Sequence, residues 1–355
     1  FQRRGDEVDI KTFTLQYPSL LFPGESQTVA TPPPADLRIC RCVNTMNPLN
    51  WVRVGRRICR ERPDFVLMKY WTPFMAPCFG TIARIARGNG HTKVLCQIDN
   101  VEPHEHHLTD KPFNRYYLHS VDGFVYMSEQ VHSELRAYSD APALFSPHPL
   151  FENFGERVER SEACVRLGLD PANRYVLFFG LIRDYKGLDL LLDAWAQLRR
   201  AGRTEGRRLI VAGEFYTARE PYLNRIADNG LQDEVLLHDR FIPDDDVKYY
   251  FSAADFVVQP YKTATQSGVT QIAYQFCVPM VVTKVGGLAE IVPDGRVGYV
   301  CEPTPEGVAG AIERMYEGDT LQRFRENCVE ERRRFSWEEM CSRITELYGL
   351  VASGK

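Results

Sequence analysis

From Tyr175 onward the chain alternates, with little interruption, between short β-rich apolar runs and amphipathic stretches. The strand-like runs are "YVLFFGLI" (Tyr175–Ile182), "RLIVAGE" (Arg208–Glu214), "VLLHDRFI" (Val235–Ile242), "DFVVQPY" (Asp255–Tyr261) and Met280–Thr283. Between them, "GLDLLLDAWAQLRR" places Leu188, Leu191, Leu192, Trp195 and Leu198 on one helical stripe, and "DDDVKYYFSAA" opens with acids in its first turn, as the helix dipole prefers. A continuous apolar run suits a strand covered on both faces, which in turn requires a parallel sheet with helices on each side. The first half repeats the rhythm more faintly in "DFVLMKY" (Asp64–Tyr70), "TKVLCQI" (Thr92–Ile98) and "VDGFVYMS" (Val121–Ser128). The predicted fold is α/β, with two Rossmann-like doubly wound domains facing a cleft.

Around residues 140–156, "SDAPALFSPHPLFENFG" (Ser139–Gly155) with its three prolines breaks the helical period and reads as an end strand running into a linker. Domains are therefore expected at 1–150 and 151–334, followed by a terminal helical segment, 335–355. That last segment carries a capping box, Ser336 with Glu339 three residues on. The opening "FQRRGDEVDIKTFTL" reads as the tail of a helix, a turn at Gly5 and a strand from Glu7 to Thr14, so one strand and most of a helix are expected to precede Phe1. A net charge of -4 argues against nucleic acid as a partner, and no apolar run approaches the roughly 20 residues that span a bilayer. The ten cysteines contain no Cys-x-x-Cys pair and read as small core residues of a reducing compartment.

In open α/β sheets ligands bind beyond the carboxyl ends of the strands. Three loops there stand out. After Tyr261 comes "KTATQSGVT", which delivers a helix N-terminus with small residues and Gly268, able to meet an anion through free backbone N–H groups. An ordinary βα turn accounts for that loop equally well on its own. The strand containing Gly180 is followed by "RDYKG", whose Arg183 and Lys186 suit a phosphate cradle, or serve as surface charges. "KVGGLAEIV" adds Gly286, Gly287 and Glu290 after a third strand.

The loop "DNVEPHEHHLTD" holds His104, His106 and His107 beyond the strand Thr92–Ile98. It is open to three readings: a metal site, a solvated polar loop, or a loop that contacts sugar or acceptor, the last being favoured by its strand-end position. Pro103 and the spacing do not give the helical His pair of a zinc protease. His104 and Glu105 are the candidates here, with Asp99 a third. "WVRVGRRICRER" gathers Arg53, Arg56, Arg57 and Arg60 beside Trp51, Val52 and Ile58; a solvated helix face explains it, and weak attachment to an anionic membrane leaflet is the sharper alternative.

Taken together, "FFGLIRDYKGLDLLLDAW", "LIVAGE", "FIPDDDVKYYFSAADFVVQPY", "ATQSGVTQIAYQFCVPMVVTKVGGLAEIVPDGRVGYV" and "FSWEEMCSRITELY" resemble glycosyltransferase family 4, of the GT-B fold. The resemblance is strong over about Tyr175 to Val300 and weak before it. It implies retaining transfer of a hexose from a nucleotide-diphosphate sugar to a glycan or lipid-linked acceptor in cell-surface polysaccharide or glycolipid synthesis, in the cytoplasm or at the inner membrane face. No metal or other cofactor is implied. Arg183 and Lys186, by the same resemblance, neutralise the leaving diphosphate, with His104 and Glu105 on the reacting side. Gly180, Thr265, Gln266, Ser267, Gly268, Val269, Gln271, Gly287 and Glu290 contact the donor. It also implies that the final helix packs back on the first domain, and that a glycine-rich loop, absent from this chain, belongs before its first strand. The chain departs from the family at Ala264 and Ile272, where many members carry glutamates; Gln266, Ser267 or Gln271 are the residues able to replace them. A sugar-nucleotide epimerase and a non-catalytic nucleotide-sugar binder are the competing functions.

Overall fold

A computed structural model describes all residues but 19–33, 35, 103–107, 265–266 and 355. Contacts divide the chain into two compact units, Phe1–Ser146 with Met340–Lys355, and Pro147–Glu339.

The first unit holds strands β1 (Asp9–Leu15), β2 (Arg38–Asn44), β3 (Phe65–Tyr70), β4 (Lys93–Ile98), β5 (Gly123–Tyr126) and β6 (Ala143–Phe145). β1 and β2 pair in parallel; β3, β4, β5 and β6 form a second parallel sheet in that order. Side chains alternate across β4. Val94, Cys96 and Ile98 join the core under helices Pro48–Glu61 and Ala76–Arg87, whereas Leu95 meets Ile344 and Leu347 of the final helix, Trp337–Ala352. Gly123 lets that helix approach: a Cβ there would lie 2.9 Å from Leu347 Cδ1. The helix is capped as its sequence predicts, the Glu339 amide donating to Ser336 Oγ at 3.1 Å.

The second unit adds β7 (Arg174–Phe179), β8 (Arg207–Ala212), β9 (Val235–His238), β10 (Phe256–Gln259), β11 (Met280–Thr283) and β12 (Gly298–Cys301). All six are parallel, in the order β12-β11-β10-β7-β8-β9. This is the doubly wound order in which the chain starts mid-sheet, winds to one edge, then returns to build the other half. Tyr175, Leu177 and Phe179 enter one apolar layer with Tyr250, Phe251 and Tyr274. Val176 and Phe178 enter the other, with Leu188, Leu191, Leu192, Trp195 and Leu198. The uncharged run that marks β7 in the sequence thus reflects burial on both faces. The direction of winding reverses between β7 and β10, the place where sheets of this kind open a crevice beyond the carboxyl ends of the strands.

Candidate functional site

The crevice is built from three neighbouring strand ends, those of β7, β10 and β11. Beyond β7, Gly180 has φ 97° and Gly213, beyond β8, has φ 151°. The two backbones touch there; a Cβ on Gly213 would lie 2.1 Å from the Gly180 carbonyl oxygen. The chain then forms a 3-10 turn, Asp184–Lys186, closed by Gly187 at φ 67°. A Cβ on Gly187 would lie 1.9 Å from the Pro260 carbonyl oxygen, so glycine is needed for the β7 loop to lie against the β10 loop. The Lys262 amide completes the junction by donating to the Tyr185 carbonyl at 2.7 Å.

Within this frame the Lys186 ammonium is folded back over the strand end. It would meet a Cβ on Gly180 at 3.1 Å and sits 5.7 Å from the centre of the Tyr261 ring. Burial, reinforced by the nearby Arg183 guanidinium, lowers its pKa to about 8. Arg183 is exposed and lies 5.3 Å from the centre of the Tyr216 ring. The nearby carboxylates are engaged elsewhere: Asp184 accepts from Thr217 Oγ1 at 2.9 Å and the Tyr222 hydroxyl at 3.0 Å, and Asp189 pairs with Lys262 at 2.7 Å. Neither Arg183 nor Lys186 has an ion-pair partner among the described residues. A half-buried ammonium in that condition is able to take an anion as its partner.

The β10 loop leads into helix Gly268–Gln275, with Ser267 as N-cap in extended conformation. The Ser267 side chain does not cap; it lies 3.2 Å from the Tyr261 hydroxyl. The first amides of the helix, those of Gly268 and Val269, therefore do not donate to that side chain, as an anion-binding helix start requires. Deeper in, Thr270 Oγ1 donates to Gln259 Oε1 at 3.1 Å, and both amide atoms of the buried Gln271 lack a hydrogen-bond partner among the described residues. Ile272 is part of the apolar layer. Gly287 is buried at the start of the short helix Leu288–Ile291, and Glu290 is exposed on that helix. Thr265, Gln266, His104 and Glu105 lie outside the described residues. Asp99 follows β4 and pairs with Lys69 at 3.3 Å.

Two residues escaped the sequence reading, which took their segment for an end strand running into a linker. Phe151 packs against the helix start, 3.4 Å from where a Cβ of Gly268 would be, and the His148 ring lies 4.9 Å from the Phe151 ring. An aromatic and a histidine among prolines were the only signal. Their placement beside Gly268 depends on the fold.

Residues 173–318 match the family model described as Glycosyl transferases group 1. The chain is 31% identical over 245 residues to D-inositol 3-phosphate glycosyltransferase 2 of Catenulispora acidiphila, covering 64% of this chain and 56% of that protein. A D-inositol 3-phosphate glycosyltransferase of Segniliparus rotundus is also 31% identical, over 55% of this chain and 44% of the relative. The chain thus spans about half the length of the curated relatives it matches. Among solved structures, sucrose-phosphate synthase from Thermosynechococcus elongatus aligns with a TM-score of 0.71 at 18% identity, covering 100% of this chain and 91% of that one. Anabaena Alr3699/HepE, in complex with UDP and glucose, aligns at 0.64 and 16% identity over 87% and 85% of the two chains.

Proposed function

We propose that this chain, a family 4-like member of the group 1 glycosyltransferases with the GT-B fold, moves a hexose from a nucleotide-diphosphate sugar to a glycan or lipid-linked acceptor with retention of configuration. The observation that carries the proposal is Lys186: a half-buried ammonium without a carboxylate partner among the described residues, held over Gly180 at the point where the sheet reverses direction. In the reaction the bond between the sugar C1 and the diphosphate oxygen breaks, C1 takes on oxocarbenium character, and the acceptor hydroxyl oxygen forms the new bond to C1 as its proton passes to the departing diphosphate. Negative charge grows on the departing diphosphate. Lys186, Arg183 and the amides of Gly268 and Val269 stand ready to receive that charge, which is stabilisation supplied before it develops. No carboxylate is required for that task, so Ala264 and Ile272 do not exclude catalysis. Support for a donor contact at Gln271 comes from its unsatisfied buried amide, whose neglect would cost about 1–3 kcal/mol.

Cell-surface polysaccharide or glycolipid synthesis on the cytoplasmic side is the setting proposed for this reaction. Arg53, Arg56, Arg57 and Arg60 are exposed on helix Pro48–Glu61, whose Val54 and Ile58 are buried. That distribution suits a solvated face and also permits contact with an anionic leaflet. No helix among the described residues is long and apolar enough to cross a membrane.

The test is release of nucleotide from UDP-, GDP- and ADP-sugars, with and without acceptors. Turnover on one donor, lost in Lys186→Ala while the fold is retained, is the expected result. Tight donor binding without turnover under every condition would replace this reading with a non-catalytic binder. Recovery of an epimerised nucleotide sugar would replace it with an epimerase.

A further inference from the structure

We propose that the first unit carries a separate anion site, unrelated to the crevice above, which takes a phosphate group between helices Ala76–Arg87 and Asp110–Leu118. A cavity of about 490 Å³ lies there, lined by Arg84, Lys111, Pro112, Arg115, Tyr116 and His119. Its lining includes three permanent cations and no carboxylate.

The floor of this cavity is constructed. Gly80 leaves the space in which the Tyr116 ring lies: a Cβ on Gly80 would be 2.7 Å from that ring and 2.9 Å from Arg84 Nη1. The Tyr116 hydroxyl and Thr81 Oγ1 are 2.9 Å apart, which fixes the ring from its far end. Arg84 then stacks on the ring, its guanidinium carbon 3.9 Å from the centroid, and donates to the carbonyls of Gly80 and Tyr116. A guanidinium has five N–H donors, so others remain after those bonds. Its neighbour Arg87, one turn on, pairs with Asp122 at 2.8 Å, whereas Arg84, Lys111 and Arg115 have no ion-pair partner among the described residues. Three cations line one concavity, and one of them is pre-oriented by its stacking and its two carbonyl bonds. A phosphate matches them better than a carboxylate because it offers more acceptor oxygens and more charge.

The experiment uses the full chain carrying Arg183→Ala and Lys186→Ala, so that the crevice is deprived of its two cations. Thermal stability is followed against inorganic phosphate at ionic strength held constant with chloride. A saturable rise is expected, with apparent affinity at least about tenfold weaker when Lys111→Glu and Arg115→Glu are added; the Gln pair serves if the Glu pair does not fold. Co-sedimentation with phosphatidylcholine vesicles, with and without phosphatidic acid, forms the second arm. Binding of free phosphate identifies a soluble ligand; binding only of phosphatidic acid vesicles, lost in the same variants, identifies a lipid headgroup. The proposal is overturned if phosphate does no more than chloride and the vesicles do not bind, or if either signal survives the Lys111 and Arg115 changes.

Discussion

Lys186 and Lys262 sit at neighbouring strand ends in one unit, on loops joined by a backbone hydrogen bond, yet their surroundings differ. Lys262 is half-exposed and pairs with Asp189 at 2.7 Å. Lys186 is more deeply set, has its pKa lowered to about 8, and faces Arg183, a second cation, in place of an acid. A paired, solvated lysine has little left to offer a ligand and adds little to stability. An unpaired lysine partly withdrawn from water is unfavourable in the empty protein, and that cost is recovered when an anion binds. The difference separates a lysine that ties the loops from one that has no acidic partner among the described residues.

The comparison can be broken most forcefully at the junction of the loops. Gly187→Ala adds a Cβ 1.9 Å from the Pro260 carbonyl at a left-handed φ of 67°, so either the β7 loop or the β10 loop must move. We expect a loss of about 3 kcal/mol, or roughly 6–12 °C in melting temperature, together with loss of donor binding. Calorimetry and donor titration check both; a variant with unchanged melting temperature would refute the close approach. Next in size, Lys186→Ala should lower kcat by about 10²–10³ with the fold intact, whereas Lys262→Ala should leave turnover near wild type and cost no more than about 1 kcal/mol. Equal losses from the two lysines in a steady-state assay would erase the distinction drawn between them.

Titration sharpens the comparison further. The unfolded-state pKa of Lys186 is 10.5 and the folded one about 8, so between these values the unfolded chain binds more protons. The contribution of Lys186 to stability is therefore unfavourable below pH 8 and is relieved as pH rises toward 10.5. Lys186→Met should flatten the stability-pH profile in that window and raise apo stability at pH 7 by about 1–3 kcal/mol, read by chemical denaturation. A diphosphate favours the charged amine, so its affinity should fall as pH rises above 8. A smaller effect than that of Lys186 is expected at Gln271: Gln271→Met should raise KM for the donor about tenfold with little change in kcat. An unchanged KM would make Gln271 a purely internal residue.

Much of this was legible in advance because the informative patterns are local. The two-sided burial of β7 is written in Tyr175–Phe179, and the helical stripe from Leu188 to Leu198 occupies the layer its spacing predicts. Arg183 and Lys186 could be chosen because cations that follow an apolar strand must emerge at its carboxyl end. Strand limits were read too long at the ends. Tyr175–Ile182 gives β7 only to Phe179, because the positive φ of Gly180 turns the backbone out of the ladder and Ile182 returns to make an isolated bridge with Phe215.

By itself the sequence determined the alternation of strands and helices, the position of the loops that carry small residues and cations, and the absence of acids at Ala264 and Ile272. These follow from periodicity and from residue chemistry, which need no partner to be read. Only the tertiary structure decided which lysine is paired, which glycine is obligatory, and that Phe151 and His148 stand beside Gly268. Such properties depend on contacts between segments far apart in the chain: the desolvation of Lys186, the 1.9 Å approach at Gly187 and the Arg84–Tyr116 stack exist only once the sheets are wound.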